Sequence, residues 1–274
     1  MAAVDLDAYI DRVGYTGNRT PSLDTLQELQ LRHAETIPFE NLNPLLGWPV
    51  RLDPTSLEQK LVRDGRGGYC YEQNLLFRHV LEALGFRVVG LAARVLLNVP
   101  EGLVRPKTHV LLLVEVADQT YVVDVGFGGQ TPTAPLRLDA GIDQGTSHGS
   151  FRLIAAGDGF VLEADVRGPW QSLYRFDLRE QHLVDYEVAN WYVSTHPASH
   201  FLNALLAARP APGRRYGLWD NELSIHMVGG PTEKRMIASS AELQGVLTDL
   251  FRITLPPEPG LNAVLERIAA KRAP

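Results

Sequence analysis

The period of the apolar residues changes at Gly85-Phe86, and that change limits which elements each part of the chain can build. Upstream, apolar residues recur at helical spacing: Leu6, Tyr9, Ile10 and Val13 before Gly14, then Leu23, Leu26 and Leu29, then Leu57, Leu61 and Val62. Thr20-Pro21 and Asp53-Pro54 read as helix starts, a cap followed by proline at the first helical position. A further helix opens near Cys70, carries Leu76, Phe77, Val80, Leu81 and Leu84 on one broad face, and stops at Gly85. Downstream the texture is that of strands. Runs over 86–97, 109–116 and 120–125 are apolar or β-branched, the last two around a polar turn at Ala117-Asp118. Shorter strand-like segments follow over 151–155, 160–164 and 173–176, enough for a small sheet or barrel. Arg209-Pro210-Ala211-Pro212-Gly213 reads as a linker into a third region. There, 223–227 and 234–238 flank a hairpin signal at Gly229-Gly230-Pro231. Ser239 and Glu242 have capping-box spacing, and a last helix is expected over 261–271. The expectation is an α+β multidomain protein: a helical domain over 1–85, a β-barrel domain with a linker over 86–205, and a third domain over 206–274.

Composition narrows the functional classes. With 45% hydrophobic and 21% charged residues, the 274-residue chain reads as an ordinary globular protein with room for a sizeable core. A net charge of −6 and no long basic run argue against nucleic acid as a partner. The start, Met1-Ala2-Ala3-Val4-Asp5, carries an acid where a signal peptide carries positive charge. The longest aliphatic run, over 110–114, is too short to span a bilayer, so the expected setting is cytoplasmic and reducing. No HExxH pattern is present, and a lone cysteine forbids the usual zinc clusters, so no metal is expected.

That lone cysteine, Cys70, lies in Arg66-Gly67-Gly68-Tyr69-Cys70-Tyr71-Glu72-Gln73-Asn74. It has no internal disulfide partner. The two glycines suit a tight turn, which puts the sulfur at a helix N-terminus, where partial positive charge favours a thiolate. The alternative is a cysteine that only fills the core. A helix terminus contributes roughly 0.3–1 kcal/mol, under one pKa unit, so a nucleophilic thiol also needs an imidazole partner. Of eight histidines, His109 stands at the mouth of the apolar run 109–116. Asp124 is an acid inside the apolar run Tyr121-Val122-Val123-Asp124-Val125, where an acid needs a partner. If Ala117-Asp118 is a two-residue hairpin turn, His109 faces Gly126, and Asp124 is its diagonal neighbour on the same face. A loop one residue longer would separate them. Asp124 would then orient the ring and support its cation; the alternatives are a structural histidine and an acid that pins a loop. Glu40 and Arg66 are either an ion pair shaping the turn before Cys70 or two solvated charges. Gly126-Phe127-Gly128-Gly129 allows close backbone approach to a ligand and offers N–H donors to a phosphate. Phe39, Tyr71, Phe127 and Phe201 either line an apolar pocket or belong to the core.

These segments resemble the arylamine N-acetyltransferases. The resemblance rests on Thr36-Ile37-Pro38-Phe39-Glu40-Asn41-Leu42, the 66–74 motif, Thr108-His109-Val110-Leu111-Leu112-Leu113 and Val123-Asp124-Val125-Gly126-Phe127-Gly128, in this order and spacing. Asn190-Trp191-Tyr192-Val193-Ser194-Thr195 and the stretch over 225–235 resemble bacterial members in particular. The resemblance implies a helical first domain, a β-barrel second domain and a C-terminal α/β lid around a cysteine-protease-like Cys-His-Asp core. It implies ping-pong acetyl transfer from acetyl-coenzyme A, through an acetyl-cysteine, to arylamines or arylhydrazines. Carried over by position, Cys70 is the nucleophile, His109 the base and Asp124 its orienter. Phe39, Phe127 and Phe201 are implied in the acceptor pocket, and Thr108, Phe127 and Gly128 in coenzyme A contacts. A thiol hydrolase or transglutaminase-like enzyme would use the same three residues, as would an amide synthase with an acyl-carrier partner; a non-catalytic binding module is the remaining alternative. The oligomeric state is left open.

Overall fold

A computed structural model describes residues 4–100, 102–166 and 169–271; Met1 to Ala3 of the start lie outside them, and its acid Asp5 within them. Its first part is helical for local reasons. Asp5 caps α1 (Leu6–Val13) by accepting the Ala8 N–H, and Gly14 ends it in the left-handed region at φ 65°. Helix α2 (Leu23–Thr36) begins two residues later than Thr20-Pro21 suggests. Ser22 is the cap, because its hydroxyl accepts the Thr25 N–H. A two-residue strand, β1 (Phe39–Glu40), interrupts the helical region, followed by α3 (Leu42–Leu45). Helix α4 (Pro54–Glu58) starts on Asp53 as its sequence suggests and passes through a π turn (Gln59–Arg63). Helix α5 (Cys70–Ala83) completes the region.

Among the described residues an eight-stranded antiparallel sheet follows: β2 (Arg87–Val95), β3 (His109–Val116), β4 (Gln119–Val123), β5 (Leu136–Arg137), β6 (Gln144–Thr146), β7 (Gly149–Ala156), β8 (Gly159–Asp165) and β9 (Gln171–Asp177), in the order 5-4-3-2-9-8-7-6. The sheet curls into a nearly closed barrel. At its seam the Gln144 amide accepts the Arg137 N–H at 2.7 Å and donates to the Arg137 carbonyl at 3.0 Å, standing in for a strand pairing between β5 and β6. The hairpin β3–β4 has the expected register, Val116 opposite Gln119, and its turn residues Ala117 and Asp118 both take positive φ (49° and 62°), the twist-matched geometry for two-residue hairpins. Strand β3 is apolar over 110–114 because both faces are covered there. Val110, Leu112 and Val114 pack on the helices, while Leu111 points into the barrel with Leu91, Phe151 and Leu173.

Helix α6 (Leu183–Thr195) has no counterpart in the sequence reading. Its apolar residues circle the helix instead of forming a stripe: Tyr186 and Val193 join the helical core, while Val184, Val188 and Trp191 face outward.

A five-stranded sheet, in the order β1-β10-β11-β12-β13, holds the C-terminal part: β10 (Leu206–Ala211), β11 (Arg214–Trp219), β12 (Glu222–Met227) and β13 (Thr232–Met236). The expected linker over 209–213 is therefore corrected: Arg209 to Ala211 end β10, and Pro212-Gly213 is a hairpin turn with Gly213 at φ 73°. Pro210 is tolerated because β1 pairs only with Ala207 and Ala208, so that edge of β10 is free beyond them. Helix α7 (Ser240–Gly245), the π turn that continues it (Val246–Leu250) and α8 (Pro259–Ala269) cover one face, packing Leu243, Leu247 and Leu265 on Leu218 and Leu223. Leu42 and Leu45 of α3 join this core, so it draws on both ends of the chain. No helix among the described residues is long and apolar enough to cross a membrane.

Candidate active site

Cys70 opens α5, and the turn before it is built against β1. The Glu40 N–H donates to the Gly68 carbonyl and the Gly68 N–H to the Pro38 carbonyl, a short parallel pairing. A side chain at Gly67 would overlap the Pro38 carbonyl, so the approach requires glycine there. Glu72 accepts the Tyr69 N–H at 3.1 Å, and the Gln73 amide donates to the carbonyls of Ile37, Pro38 and Gly68. Beneath lies the fully buried Glu40, which receives Arg66 at 2.7 and 2.9 Å; Lys60 stands 2.6 Å from Glu72 and 3.8 Å from Glu40. Glu40 and Arg66 are thus an ion pair and not two solvated charges. Burial would raise the Glu40 carboxyl, but the Arg66 and Lys60 charges outweigh it and hold it below the usual range.

His109 and Asp124 meet where the hairpin register puts them. The His109 Nε2–H donates to Asp124 Oδ2 at 2.7 Å, and both side chains are buried. Asp124 is fully subscribed: Tyr174 donates its O–H to Oδ2 at 3.0 Å, while the Asn74 amide at 2.9 Å and the Gly126 N–H at 2.8 Å donate to Oδ1. Burial opposes charge on both partners, yet the pair charges. Against that burial, the Asp124 charge and hydrogen bond, with a further hydrogen bond to Cys70, push His109 up to about 10. The His109 cation and the donors around Asp124 hold its carboxyl below the usual range. The Cys70 thiol also lies 3.6 Å from the Thr108 carbonyl.

Gly126 has a different use from the one anticipated for this glycine-rich stretch. A side chain on Gly126 would come within 2.7 Å of the Cys70 Cα, and the Gly126 N–H is already committed to Asp124. Gly126 therefore lets the loop approach the start of α5 and is not a phosphate donor. Gly128, at φ 81°, lies against the Phe39 ring. Phe39, Phe127 and Phe201 are half-buried: Phe127 stands edge-on to His109 at 5.1 Å, and Phe39 and Phe201 lie 6.3 Å apart. Tyr71 is not among them; it is buried between Tyr69 and Tyr186 as core. Asn74 and Tyr174 are missing from the sequence reading as site residues. Asn74, one helical turn after Cys70 on the same face, carried a signal; Tyr174, on β9, carried none. His196 and His200 have an H-x-x-x-H spacing, but His196 ends α6 stacked on Tyr192, while His200 begins a separate 3₁₀ turn. No group of three or more metal-ligating side chains occurs among the described residues.

Comparison with known proteins shows the family of the chain. A family model described as N-acetyltransferase matches residues 22–259. The chain is 48% identical over 257 residues to the arylamine N-acetyltransferase of Mycobacterium tuberculosis (strain ATCC 25618 / H37Rv), covering 92% of this chain and 90% of that one. It is 44% identical over 247 residues to the Escherichia coli (strain K12) protein of the same name, covering 90% and 88%. The solved structure of Mycobacterium marinum arylamine N-acetyltransferase superposes with a TM-score of 0.94 at 44% identity, over 97% of this chain and 100% of that chain. The complex of that protein with CoA superposes with a TM-score of 0.93 at 44% identity, over 96% and 99%.

Proposed function

The chain belongs to the arylamine N-acetyltransferase family, and from that membership we propose that it moves an acetyl group from acetyl-coenzyme A to an arylamine or arylhydrazine through an acetylated Cys70. The observation that carries this reading is the buried His109–Asp124 pair, with Cys70 at the start of a helix and its sulfur 3.6 Å from the carbonyl of Thr108, the residue before His109. The Cys70 thiolate attacks the thioester carbonyl, and backbone N–H groups at the start of α5 support the oxyanion. The carbon–sulfur bond to coenzyme A breaks, and the departing thiolate takes the proton of the His109 imidazolium. His109, now neutral, accepts a proton from the amine as its nitrogen attacks the acetyl-cysteine. Cys70 leaves as a thiolate beside the restored imidazolium, so protons balance over the cycle. Asp124 holds the ring and supports its cation. Phe39, Phe127 and Phe201 take the acceptor ring; Thr108, Phe127 and Gly128 meet the coenzyme. In this reading residues 1–85 supply the nucleophile, 86–205 the base and its orienter, and 206–274 the sheet beside them. A reducing cytoplasmic setting keeps the thiol free.

Intact-protein mass spectrometry after brief exposure to acetyl-coenzyme A, with no amine present, tests the reading. One acetyl group per chain is expected, and none in Cys70→Ala. Turnover of an arylamine with no such adduct would rule out the ping-pong route.

A further inference from the structure

The five-stranded sheet turns one face toward the barrel, and that face continues past the phenylalanines around Cys70. Its orientation follows from Arg215, whose guanidinium donates to the carbonyls of His148 and Thr131 in the barrel's loops. Strand register places Phe39, Ala208, Gly217 and Ser224 side by side in one row of this face. Trp219 lies two residues from Gly217, hence on the same face. Ala208 and Gly217 are small, so the floor between Phe39 and Trp219 is low. Along its border the aromatic rings form a chain. Phe39 and Phe201 are 6.3 Å apart, Phe201 and His200 4.3 Å, and His200 stacks on Trp219 at 5.9 Å and 21°. Trp219 is 54% exposed, an unusual position for a large ring that already has one stacking partner. Arg105 stands three residues before Thr108, whose carbonyl lies 3.6 Å from the Cys70 sulfur. Packing of the His200 ring, and then the Arg105 charge, hold His200 below the usual imidazole range, so it stacks as a neutral ring at pH 7.

We propose that His200 and Trp219 form an outer aryl subsite that takes the second ring of two-ring arylamine acceptors. The proposal rests on the acetyl-transfer reading above and assigns His200 and Trp219 a part in acceptor binding. The first ring lies by Phe39 and Phe201 with its amine toward Cys70. The second, one bond further on, lies over the small-residue floor against the His200–Trp219 stack. The contact is apolar and aromatic, made alike in ground and transition states, so it acts on acceptor binding more than on the chemical step.

The test compares 4-aminobiphenyl with 4-methylaniline as acceptors, with acetyl-coenzyme A as donor. In Trp219→Ala the ratio of kcat/KM for the two-ring amine to that for the one-ring amine is expected to fall roughly three- to tenfold, carried by KM. His200→Ala is expected to lower it in the same direction, and Trp219→Phe to restore most of it. An unchanged ratio, or an equal fall for both amines, would overturn the subsite. If the unmodified protein acetylates neither amine, the acetyl-transfer reading fails on its own. Equilibrium dialysis of 4-aminobiphenyl then decides the subsite: weaker retention by Trp219→Ala supports it, and equal retention overturns it.

Discussion

At His109 burial and charge pull in opposite directions, and charge wins. The ring is held at about 10 against an ordinary 6.5. Because the folded value is raised, the stability this cation contributes is fully present below about 6.5 and is lost as pH rises through about 10. In the proposed reaction His109 is the proton partner of Cys70. Iodoacetamide is expected to alkylate Cys70 at pH 6 nearly as fast as at pH 8, with the advantage at pH 6 lost in His109→Ala. Overlapping pH profiles for the two folded proteins would show that His109 is not the partner of the thiol. Much of this was legible in the residues. A lone cysteine after two glycines, an acid in an apolar run and a two-residue turn are local signals, and they sufficed to bring Cys70, His109 and Asp124 together. Tyr174 was not legible, because a tyrosine in an alternating strand looks like core until β9 is known to pair with β2. Gly126 was legible as a glycine but not in its use, since the Cys70 backbone it must clear lies on another element.

Among the elements, β1 and the turn before α5 are held by buried charge. Arg66→Ala leaves Glu40 buried with Lys60 at 3.8 Å as its remaining cation. A broken buried pair costs about 3–5 kcal/mol at neutral pH, and activity is expected to fall with it because the turn carries Cys70. The sign with pH is specific. The folded Glu40 value lies below the ordinary 4.5, so its pairing stabilises above that value and fades as pH falls. The deficit of Arg66→Ala should accordingly shrink on acidification, which urea unfolding at pH 7 and pH 4 measures; a deficit that grows would contradict the pairing. The elements missed from the sequence share a physical cause. Strand β1 has too few residues to show a period, β10 carries Pro210 at an edge where it costs no hydrogen bond, and α6 is apolar all round with β-branched valines. In each, contacts with distant segments override the local pattern. The β3–β4 hairpin was legible because its turn geometry and alternation agree.

At the scale of the whole molecule, the Gln144 side chain bridges the two end strands of the barrel sheet, beside a backbone bond from Gly141 to Leu153. Gln144→Ala removes two hydrogen bonds from the seam, a loss of about 1–3 kcal/mol. Hydrogen exchange is the sensitive readout: the Arg137 amide should exchange faster, while amides in the middle of β2 and β3 keep their protection. Equal acceleration throughout would mean that the seam does not open independently. The two-residue strand β1 has a consequence of another kind. It is gripped on one side by the turn that presents Cys70 and on the other by β10, which follows far later in the chain. A ribosome adding about 5–20 residues per second therefore exposes the thiol well before the strand that completes its surroundings exists. Until β10 is made, β1 pairs on one side alone, with the turn that presents Cys70, so its other edge stays open in the emerging polypeptide.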